Sequence, residues 1–145
     1  MSDDPLYRRE ILRLAADAKG AGHLLAPDAS GSAHNPACGD RVTVELTLKD
    51  GRIAAFAHQT QACVLTQASA ALLADTAAGQ DRDGLARLAM GIRGMLAGGP
   101  APASGYAAFD GVAAHPGRHV CVLLPVEAAL KALEPPEPRR PGTKR

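Results

Sequence analysis

Three cysteines and an aspartate are the residues of this chain whose types could do chemistry together. Cys38 and Asp40 are two residues apart in HNPACGD, residues 34–40, between a turn-forming Asn-Pro and a run with the pattern of a strand. Cys63 and Cys121 stand near the predicted starts of two helices, where the helix dipole favours anions and lowers a thiol pKa. Three thiolates and a carboxylate form a tetrahedral set suited to Zn²⁺ or to an iron–sulfur cluster.

The cysteine count leaves three interpretations open. Three thiols are an odd number, and a stable disulfide is not expected in a reducing cytosol. The thiols are then metal ligands, a nucleophile or inert core residues, and a lone cysteine is commonly a small buried hydrophobe. The sequence has no Cys-x-x-Cys pair, so spacing alone does not choose among them. Four anionic groups brought together would repel one another unless a cation neutralised them, which favours a metal.

Length and composition narrow the class of protein. A chain of 145 residues fits a single domain, expected over residues 1–133, with the Pro-rich, charged residues 134–145 as a disordered tail. The near balance of 16 Lys and Arg against 15 Asp and Glu argues against a nucleic-acid-binding protein. No apolar run approaches the ~18 residues of a membrane-spanning helix, and MSDDPLYRRE lacks the layout of a signal peptide. We therefore expect a cytoplasmic protein with no nucleic-acid or membrane partner.

A hairpin is the clearest predicted element. Residues 42–49 alternate between apolar and polar, which indicates a half-buried strand. Asp50-Gly51 then predicts a two-residue turn, followed by a weaker strand over about 52–59. With that turn, the numbers of paired residues sum to 101, so Cys38 would fall opposite Cys63 if pairing reached so far. Pairing is expected to fray earlier, but the hairpin returns both thiols to one end of the sheet.

Apolar periodicity predicts helices around the hairpin, and two stretches have the composition of loops or irregular structure. The last helix contains Pro125, which a helix tolerates only in its first turn, so Cys121 is expected at or just before the helix start. The predicted helices cover residues 5–18 with Asp4 as N-cap, the segment from Cys63 to Gly79, a segment capped by Asp81 or Asp83, and residues 118–134; the loops cover 22–37 and 98–117. These elements predict an α+β fold: a small antiparallel sheet of about three strands, helices packed on one face, and the metal site at one end.

The order of the motifs resembles a known family. These motifs are NPACGDRV, a strand hairpin, a second cysteine running into QASA, and R-x-x-C followed by VEAALKAL. Over about residues 5–133, they make the chain similar to the iron–sulfur cluster assembly scaffolds of the IscU and NifU N-terminal group. The chain is most similar to SufU-type members, because Val120 rather than histidine precedes Cys121 and the segment between the second and third cysteines is long. The resemblance implies a SufE/IscU-like fold and an arginine, here Arg118, three residues before the last cysteine. It also implies the ligand set Cys38, Asp40, Cys63 and Cys121.

The chain departs from the family pattern at two places. Thr60 and Ala62 stand where the family usually has glycines before the second cysteine, so we expect a stiffer loop there. Val120 also replaces the lysine that usually precedes the last cysteine of SufU-type members.

Two functions follow from the resemblance, and the third alternative is a purely structural one. The first is a non-enzymatic scaffold that takes sulfur from a SufS-like cysteine desulfurase, builds a labile [2Fe–2S] or [4Fe–4S] cluster and passes it to apo iron–sulfur proteins. The second is a zinc-dependent sulfurtransferase of the SufU kind, in which Cys38 is favoured over Cys63 as the persulfide acceptor. The third is a structural zinc module, which the placement of the thiols in a loop and at helix ends disfavours.

Four histidines and a serine are further candidates by residue type. His34 is next to the motif, and His119, two residues from the last cysteine, is the best candidate for an alternative ligand or proton donor. His58 is expected on the surface or half-buried on a strand, and His115 is expected to be exposed in a loop. Ser69 is expected to serve helix packing, because no His/Asp arrangement supports a nucleophile. Arg118 could neutralise the thiolates or steer a persulfide donor, or it could simply lie on the surface.

Overall fold

The computed structural model of the protein describes residues 8–37 and 39–134. Cys38, the predicted cap Asp4 and nearly all of the predicted tail, residues 135–145, therefore lie outside the described residues. The elements are α1 (Arg9–Asp17), β1 (Ala29–Asn35), β2 (Asp40–Lys49), β3 (Arg52–Gln61), α2 (Val64–Thr76), α3 (Arg82–Leu96) and α4 (His119–Leu133), with 3₁₀ helices at Tyr106–Ala114 and Pro116–Arg118. No helix among these residues is both long and apolar enough to cross a membrane.

The predicted α+β class is confirmed. The strands form one antiparallel sheet in the order β1-β2-β3. Helix α4 packs against β1 and β2, α2 and α3 pack against α4, and α1 packs against α2. Val42, Val44 and Leu46 alternate along β2 and are fully buried beneath this helical layer. The core thus lies on one face of the sheet, filled mainly by aliphatic side chains.

The predicted hairpin turn is also confirmed. Asp50 and Gly51 have φ values of 54° and 78°, the left-handed backbone that a two-residue turn requires at both positions. Lys49 pairs with Arg52, as the sequence predicts.

The predicted register is wrong beyond the first two pairs of the hairpin. An irregularity between Thr47 and Leu48 leaves Ala54 as an extra residue on β3, so the pairing shifts by one. Bulges of this kind increase the local twist and move every later side chain relative to its partner. Pairing ends at Arg41 and Gln61, just before the cysteine that follows β3.

Strand β1 lies where the sequence predicts a loop. Its residues, ASGSAHN, are small or polar rather than β-branched or aromatic, so the usual strand signal is absent. The small residues are explained by α4, which lies directly on this strand: a Cβ on Gly31 would stand 2.4 Å from the carbonyl oxygen of Ala128. Close approach of a helix backbone therefore determines the composition of β1.

Predictions for two of the helices need correction. Helix α1 begins at Arg9 rather than Pro5, because Arg8 has an extended backbone with φ −56° and ψ 152°. Pro125 is the seventh residue of α4, not part of its first turn, so Cys121 is the third residue of the helix rather than at or just before its start. It has no N–H to donate to the carbonyl of Cys121, and α4 nevertheless continues to Leu133.

Helices α2 and α3 follow the prediction closely. Helix α2 begins at Val64 directly after Cys63, and α3 is capped by Asp81, whose carboxylate accepts the N–H of Gly84 at 2.8 Å. The predicted apolar face of α3 is buried along its whole length: Leu85, Leu88, Ala89, Ile92, Met95 and Leu96.

Candidate metal centre

Asp40, Cys63 and Cys121 converge at one end of the sheet. One ligand atom from each lies within 4.8 Å of the other two. Asp40 is the first residue of β2, Cys63 is the N-cap of α2, and Cys121 is the third residue of α4. Three element starts therefore supply the three donors. Cys38, the fourth predicted ligand, lies outside the described residues and precedes Asp40 by two positions in the sequence.

The turn between β1 and β2 sets the position of Asp40. Asn35 accepts the N–H of Ala37 on its side-chain oxygen at 3.1 Å and the N–H of Gly39 on its backbone carbonyl at 2.8 Å. Gly39 has φ 80°, a backbone conformation that glycine adopts without strain. Asn35 also pairs with Asp40 across the two strands, so the turn closes immediately beside the carboxylate.

The Asp40 carboxylate is buried and is held by the start of α2. One oxygen, Oδ1, accepts the backbone N–H of Cys63 at 3.3 Å. The other, Oδ2, accepts the hydroxyl of Thr66 at 3.0 Å. A buried carboxylate needs such donors because desolvation is costly. The two bonds tie the turn that precedes β2 to the first turn of α2.

The two thiols share a proton in the metal-free protein. Cys63 is half-buried and Cys121 is almost fully buried. The Cys121 thiol, donating toward the sulfur of Cys63, lowers the pKa of Cys63 to about 6, and the backbone N–H of Thr66 acts in the same direction. The same contact raises the pKa of Cys121 well above its ordinary value, and burial adds to that rise. One thiolate is therefore available at neutral pH, and the second sulfur keeps its proton.

The donor set fits a soft metal or cluster. Thiolates prefer Zn²⁺ and iron–sulfur clusters, and a carboxylate completes either set. Ligand atoms of a tetrahedral zinc site lie about 3.5–3.8 Å apart, and the three donors here lie within 4.8 Å of one another, so their spacing is close to that of a zinc site. Among the described residues, Asp40, Cys63 and Cys121 form the group of His, Cys, Asp and Glu side chains whose ligand atoms lie this close together.

Arg118 stands beside the thiols. Its positive charge acts to lower the pKa of Cys121. Its Nε is buried and finds no hydrogen-bond partner within the described part of the chain. The arginine thus contributes positive potential to a centre whose other members are anionic or acidic, which supports the neutralising role considered for it.

Side-chain hydrogen bonds hold the segment that leads into Cys63, from the end of β3 to the start of α2. Thr60 Oγ1 is 2.8 Å from Nδ1 of His58, and Gln67 donates its side-chain N–H to the carbonyl of Ala62 at 2.8 Å. Thr60 and Ala62 are the two positions at which the sequence departs from the glycines of the family pattern. Thr60 lies within β3 rather than in a loop, and the stiffer loop expected at these positions stays a prediction.

His58 is buried, so the expectation of a surface or half-buried residue is wrong. It is 3% exposed, and its Nε2 donates to the carbonyl of Lys19 at 2.9 Å. The segment after α1 runs along the outer edge of β3, where Ala21 forms a bridge with His58. The sequence gives no sign that this segment covers the strand. Burial in turn lowers the pKa of His58.

The other candidates do not join the centre. His119 Nε2 donates to the carbonyl of Ala113 at 3.2 Å, and the exposed His34 faces Arg41 across the strands. His115 is half-buried rather than exposed. The hydroxyl of Ser69 is buried and donates to the carbonyl of Val122 at 2.6 Å, the packing role expected for it.

Thr66 is a residue of the centre that sequence reasoning missed. The one signal in the sequence is its position three residues after Cys63 in a predicted helix, which places both on one helical face. Its partner Asp40 comes from a different element, so the spacing alone does not predict the contact.

The fold and the site together define an α+β domain with a thiolate and carboxylate centre at one end of a three-stranded sheet. The chain belongs to the NifU-like N-terminal domain family, whose sequence profile matches residues 6–101. Membership agrees with the resemblance drawn from the motifs.

Two solved structures show how closely the fold is shared. The chain is 34% identical to an N-terminal NifU-like protein from Brucella abortus, with a TM-score of 0.84 over 89% of this chain and 92% of that one. A candidate iron–sulfur cluster assembly scaffold protein for the SUF system from Fervidobacterium islandicum AW-1 is 20% identical, with a TM-score of 0.82 over 92% of this chain and 100% of that one. No curated protein matches the chain.

Proposed function

We propose that this protein is an iron–sulfur cluster assembly protein that accepts sulfur from a SufS-like cysteine desulfurase and assembles or relays a labile cluster to apo-proteins. The observation that carries the proposal is the convergence of Asp40, Cys63 and Cys121 from three separate elements. Membership of the NifU-like N-terminal domain family supports it. Cys38 is proposed as the fourth ligand on its place in the family motif. The proposal includes a single domain over residues 1–133 and a cytoplasmic location, where thiols stay reduced.

Sulfur delivery requires a nucleophilic thiolate. The thiolate attacks the outer sulfur of a persulfide on the desulfurase, and the donor S–S bond breaks as the new S–S bond forms. The desulfurase cysteine leaves as a thiolate, so the outer sulfur moves without a net gain or loss of electrons. We assign the acceptor role to Cys38 on the resemblance. In this assignment, Cys63 and Cys121 hold the cargo.

The mixed donor set suits a cluster that must leave. A carboxylate is a poorer ligand than a fourth thiolate for soft iron–sulfide. Asp40 also accepts two hydrogen bonds, which offset the cost of its charge after a [2Fe–2S] or [4Fe–4S] cluster has gone. The centre can therefore return to its empty state without refolding.

A zinc-dependent sulfurtransferase is the second candidate. The observation that favours it is the position of His119, whose ring is hydrogen-bonded to the carbonyl of Ala113. Because Val120 directly precedes Cys121, the centre lacks the histidine that stands there in IscU-type scaffolds. Zn²⁺ would be held by Cys38, Asp40, Cys63 and Cys121. A desulfurase that displaced one thiolate would then free it to accept sulfur.

Metal content after purification without oxygen tests both functions. Bound iron and sulfide, with charge-transfer absorption in the visible range, would support the scaffold. One tightly held zinc, together with faster turnover of a purified SufS-type desulfurase on addition of the protein, would support the sulfurtransferase. A colourless zinc protein with no effect on the desulfurase would contradict both.

The Asp40→Ala variant tests whether the carboxylate is a ligand. It removes an oxygen donor, so we expect it to lose bound metal faster to a chelator than the wild type. Asp75→Ala is the matched control, because Asp75 is an exposed carboxylate at the other end of α2. If Asp40→Ala keeps its metal as well as Asp75→Ala does, Asp40 is not a ligand.

A further inference from the structure

Thr66 is a fully buried polar residue at the centre, with a hydroxyl that faces two of the proposed ligands. The hydroxyl is 3.0 Å from Oδ2 of Asp40 and 3.4 Å from Sγ of Cys63. A threonine inside a helix commonly bonds a carbonyl one turn earlier. Thr66 instead bonds a carboxylate that belongs to a different element, which indicates a role in the centre rather than in the helix.

The hydroxyl has one proton and two lone pairs. It gives the proton to Asp40, because an ionised carboxylate is an acceptor only. The hydroxyl therefore fixes Oδ2 of Asp40 while it stands 3.4 Å from the sulfur of Cys63.

The bond also distinguishes the two oxygens of Asp40. Oδ2 is taken by the Thr66 hydroxyl at 3.0 Å, whereas Oδ1 has the longer contact of 3.3 Å to the backbone N–H of Cys63. Oδ1 is therefore the oxygen more easily given to a metal. A carboxylate held in this way presents one oxygen rather than two.

We propose that Thr66 is the positioning residue of the metal centre: its hydroxyl holds Asp40 as a one-oxygen ligand beside Cys63 and so sets how tightly the centre retains a metal. The proposal rests on the metal binding proposed above. Partners that orient a ligand from outside the coordination sphere typically change metal affinity by about 10–100-fold when removed.

Two substitutions separate the hydroxyl from the shape of the side chain. Thr66→Val keeps the volume and branching but leaves Asp40 Oδ2 without its donor. Thr66→Ser keeps the donor and removes a methyl group. We expect Zn²⁺ affinity, measured by competition with a chromophoric chelator, to fall about 10–100-fold in Thr66→Val and to stay within about threefold of wild type in Thr66→Ser.

Replacing Zn²⁺ by Co²⁺ gives an absorption spectrum that reports on the metal ligands and that loss of packing alone would not change. In the Co²⁺-loaded protein, we expect the d–d absorption bands of Thr66→Val to shift relative to wild type, and those of Thr66→Ser to coincide with wild type. Far-UV circular dichroism of the metal-free variants checks folding. If Thr66→Val does not fold, Thr66→Ala is used in its place. Thr66→Ser must then still show the Zn²⁺ affinity and the Co²⁺ spectrum of the wild type.

The Asp40→Ala background tests whether Thr66 acts through the carboxylate. There, Thr66→Val should reduce Zn²⁺ affinity by less than about threefold, because the oxygen that it positions is gone. Unchanged Zn²⁺ affinity in folded Thr66→Val, with zinc bound to wild type, would overturn this inference alone. Equal losses in Thr66→Val and Thr66→Ser would do the same. Failure of the wild type to bind Zn²⁺ or Co²⁺ would overturn the metal-binding proposal and this inference with it.

Discussion

Cys63 obtains its low pKa from neighbours within the centre. The Cys121 thiol stabilises the Cys63 thiolate by hydrogen bonding, the backbone N–H of Thr66 adds to this, and burial acts in the opposite direction. The position of Cys63 at the N-cap of α2 is a further favourable feature, since helix N-termini attract anions. The two sulfurs thus behave as one acid that loses its first proton easily and its second only at high pH.

This shared proton predicts a pH profile for alkylation. In metal-free protein, labelling of Cys63 by iodoacetamide should rise through a midpoint near pH 6, while Cys121 should label slowly throughout. In Cys121→Ala the hydrogen-bond donor is lost, so the Cys63 midpoint should rise by roughly two pH units, toward the ~8.5 of an ordinary cysteine. Peptide mass spectrometry resolves the separate cysteines.

Protein loaded with Zn²⁺ is the control for the alkylation experiment. At each pH at which the ion stays bound, it should protect Cys63, because the thiolate is then a ligand. A wild-type midpoint above pH 8 for Cys63 would contradict the shared-proton description.

Strand β1 shows how packing between elements determines composition. It lies under α4, and its third residue, Gly31, has no room for a side chain: a Cβ there would stand 2.4 Å from both the oxygen of Ala128 and the nitrogen of Ala132. These are backbone atoms, so they move only if helix and strand separate. The close contact joins the sheet to the helix that carries the last cysteine.

A pair of glycine substitutions tests this contact. Gly31→Ala should lower the free energy of unfolding by about 1–3 kcal/mol, the usual cost of overpacking. Gly94→Ala is the matched control: Gly94 lies in α3, and an added methyl group there would meet nothing within 4 Å, so alanine should raise stability by roughly 0.5–1 kcal/mol. Urea unfolding measures both. Equal stability of the two variants would contradict direct packing of α4 on β1.

The elements that sequence predicts well are those with strong internal patterns. The hairpin β2–β3 has an alternating run and an Asp-Gly turn, and α3 has a continuous apolar face, so both are predicted. Strand β1 is not predicted, because its glycine and serines are explained by packing against α4, a helix about a hundred residues later in the chain. The bulge in β3 is not predicted either, since one unpaired residue does not change the local pattern of apolar and polar residues. It invalidates the sum of 101 that would place Cys38 opposite Cys63.

The same distinction holds for the centre. The ligands can be recognised in the sequence because few other residue types could replace cysteine or aspartate as metal ligands. The predicted convergence of Asp40, Cys63 and Cys121 is found in the structure. Thr66 and Arg118 act through contacts between elements, so their roles depend on the assembled fold. The burial of His58 cannot be predicted for the same reason, because the segment that covers it follows α1 rather than β3.

At the scale of the whole molecule, the centre joins parts of the chain that are distant in sequence. Its donors stand at the starts of β2, α2 and α4. An ion bound by all three would connect the sheet to two helices of the layer above it. Metal binding should therefore stabilise the fold as a unit, rather than one loop.

This coupling predicts a rise in the thermal midpoint with Zn²⁺. A free concentration about 100 times the dissociation constant adds about 2.7 kcal/mol if the unfolded chain does not bind. For a chain of this size each kcal/mol shifts the midpoint by about 2–4 °C, so we expect a rise of roughly 5–10 °C, reversed by a chelator. Differential scanning calorimetry or circular dichroism measures the shift.

Variants separate this effect from zinc binding by the unfolded chain. Zn²⁺ bound to cysteines of the unfolded state would lower the midpoint, and would do so equally in wild type and Asp40→Ala, because both keep all their thiols. The stabilisation should therefore be smaller in Asp40→Ala and intact in Asp75→Ala, whose carboxylate pairs with Lys19 far from the centre. Stoichiometric zinc without any rise in the wild-type midpoint would mean that the ion does not link β2, α2 and α4, and the three donors would then have to act separately.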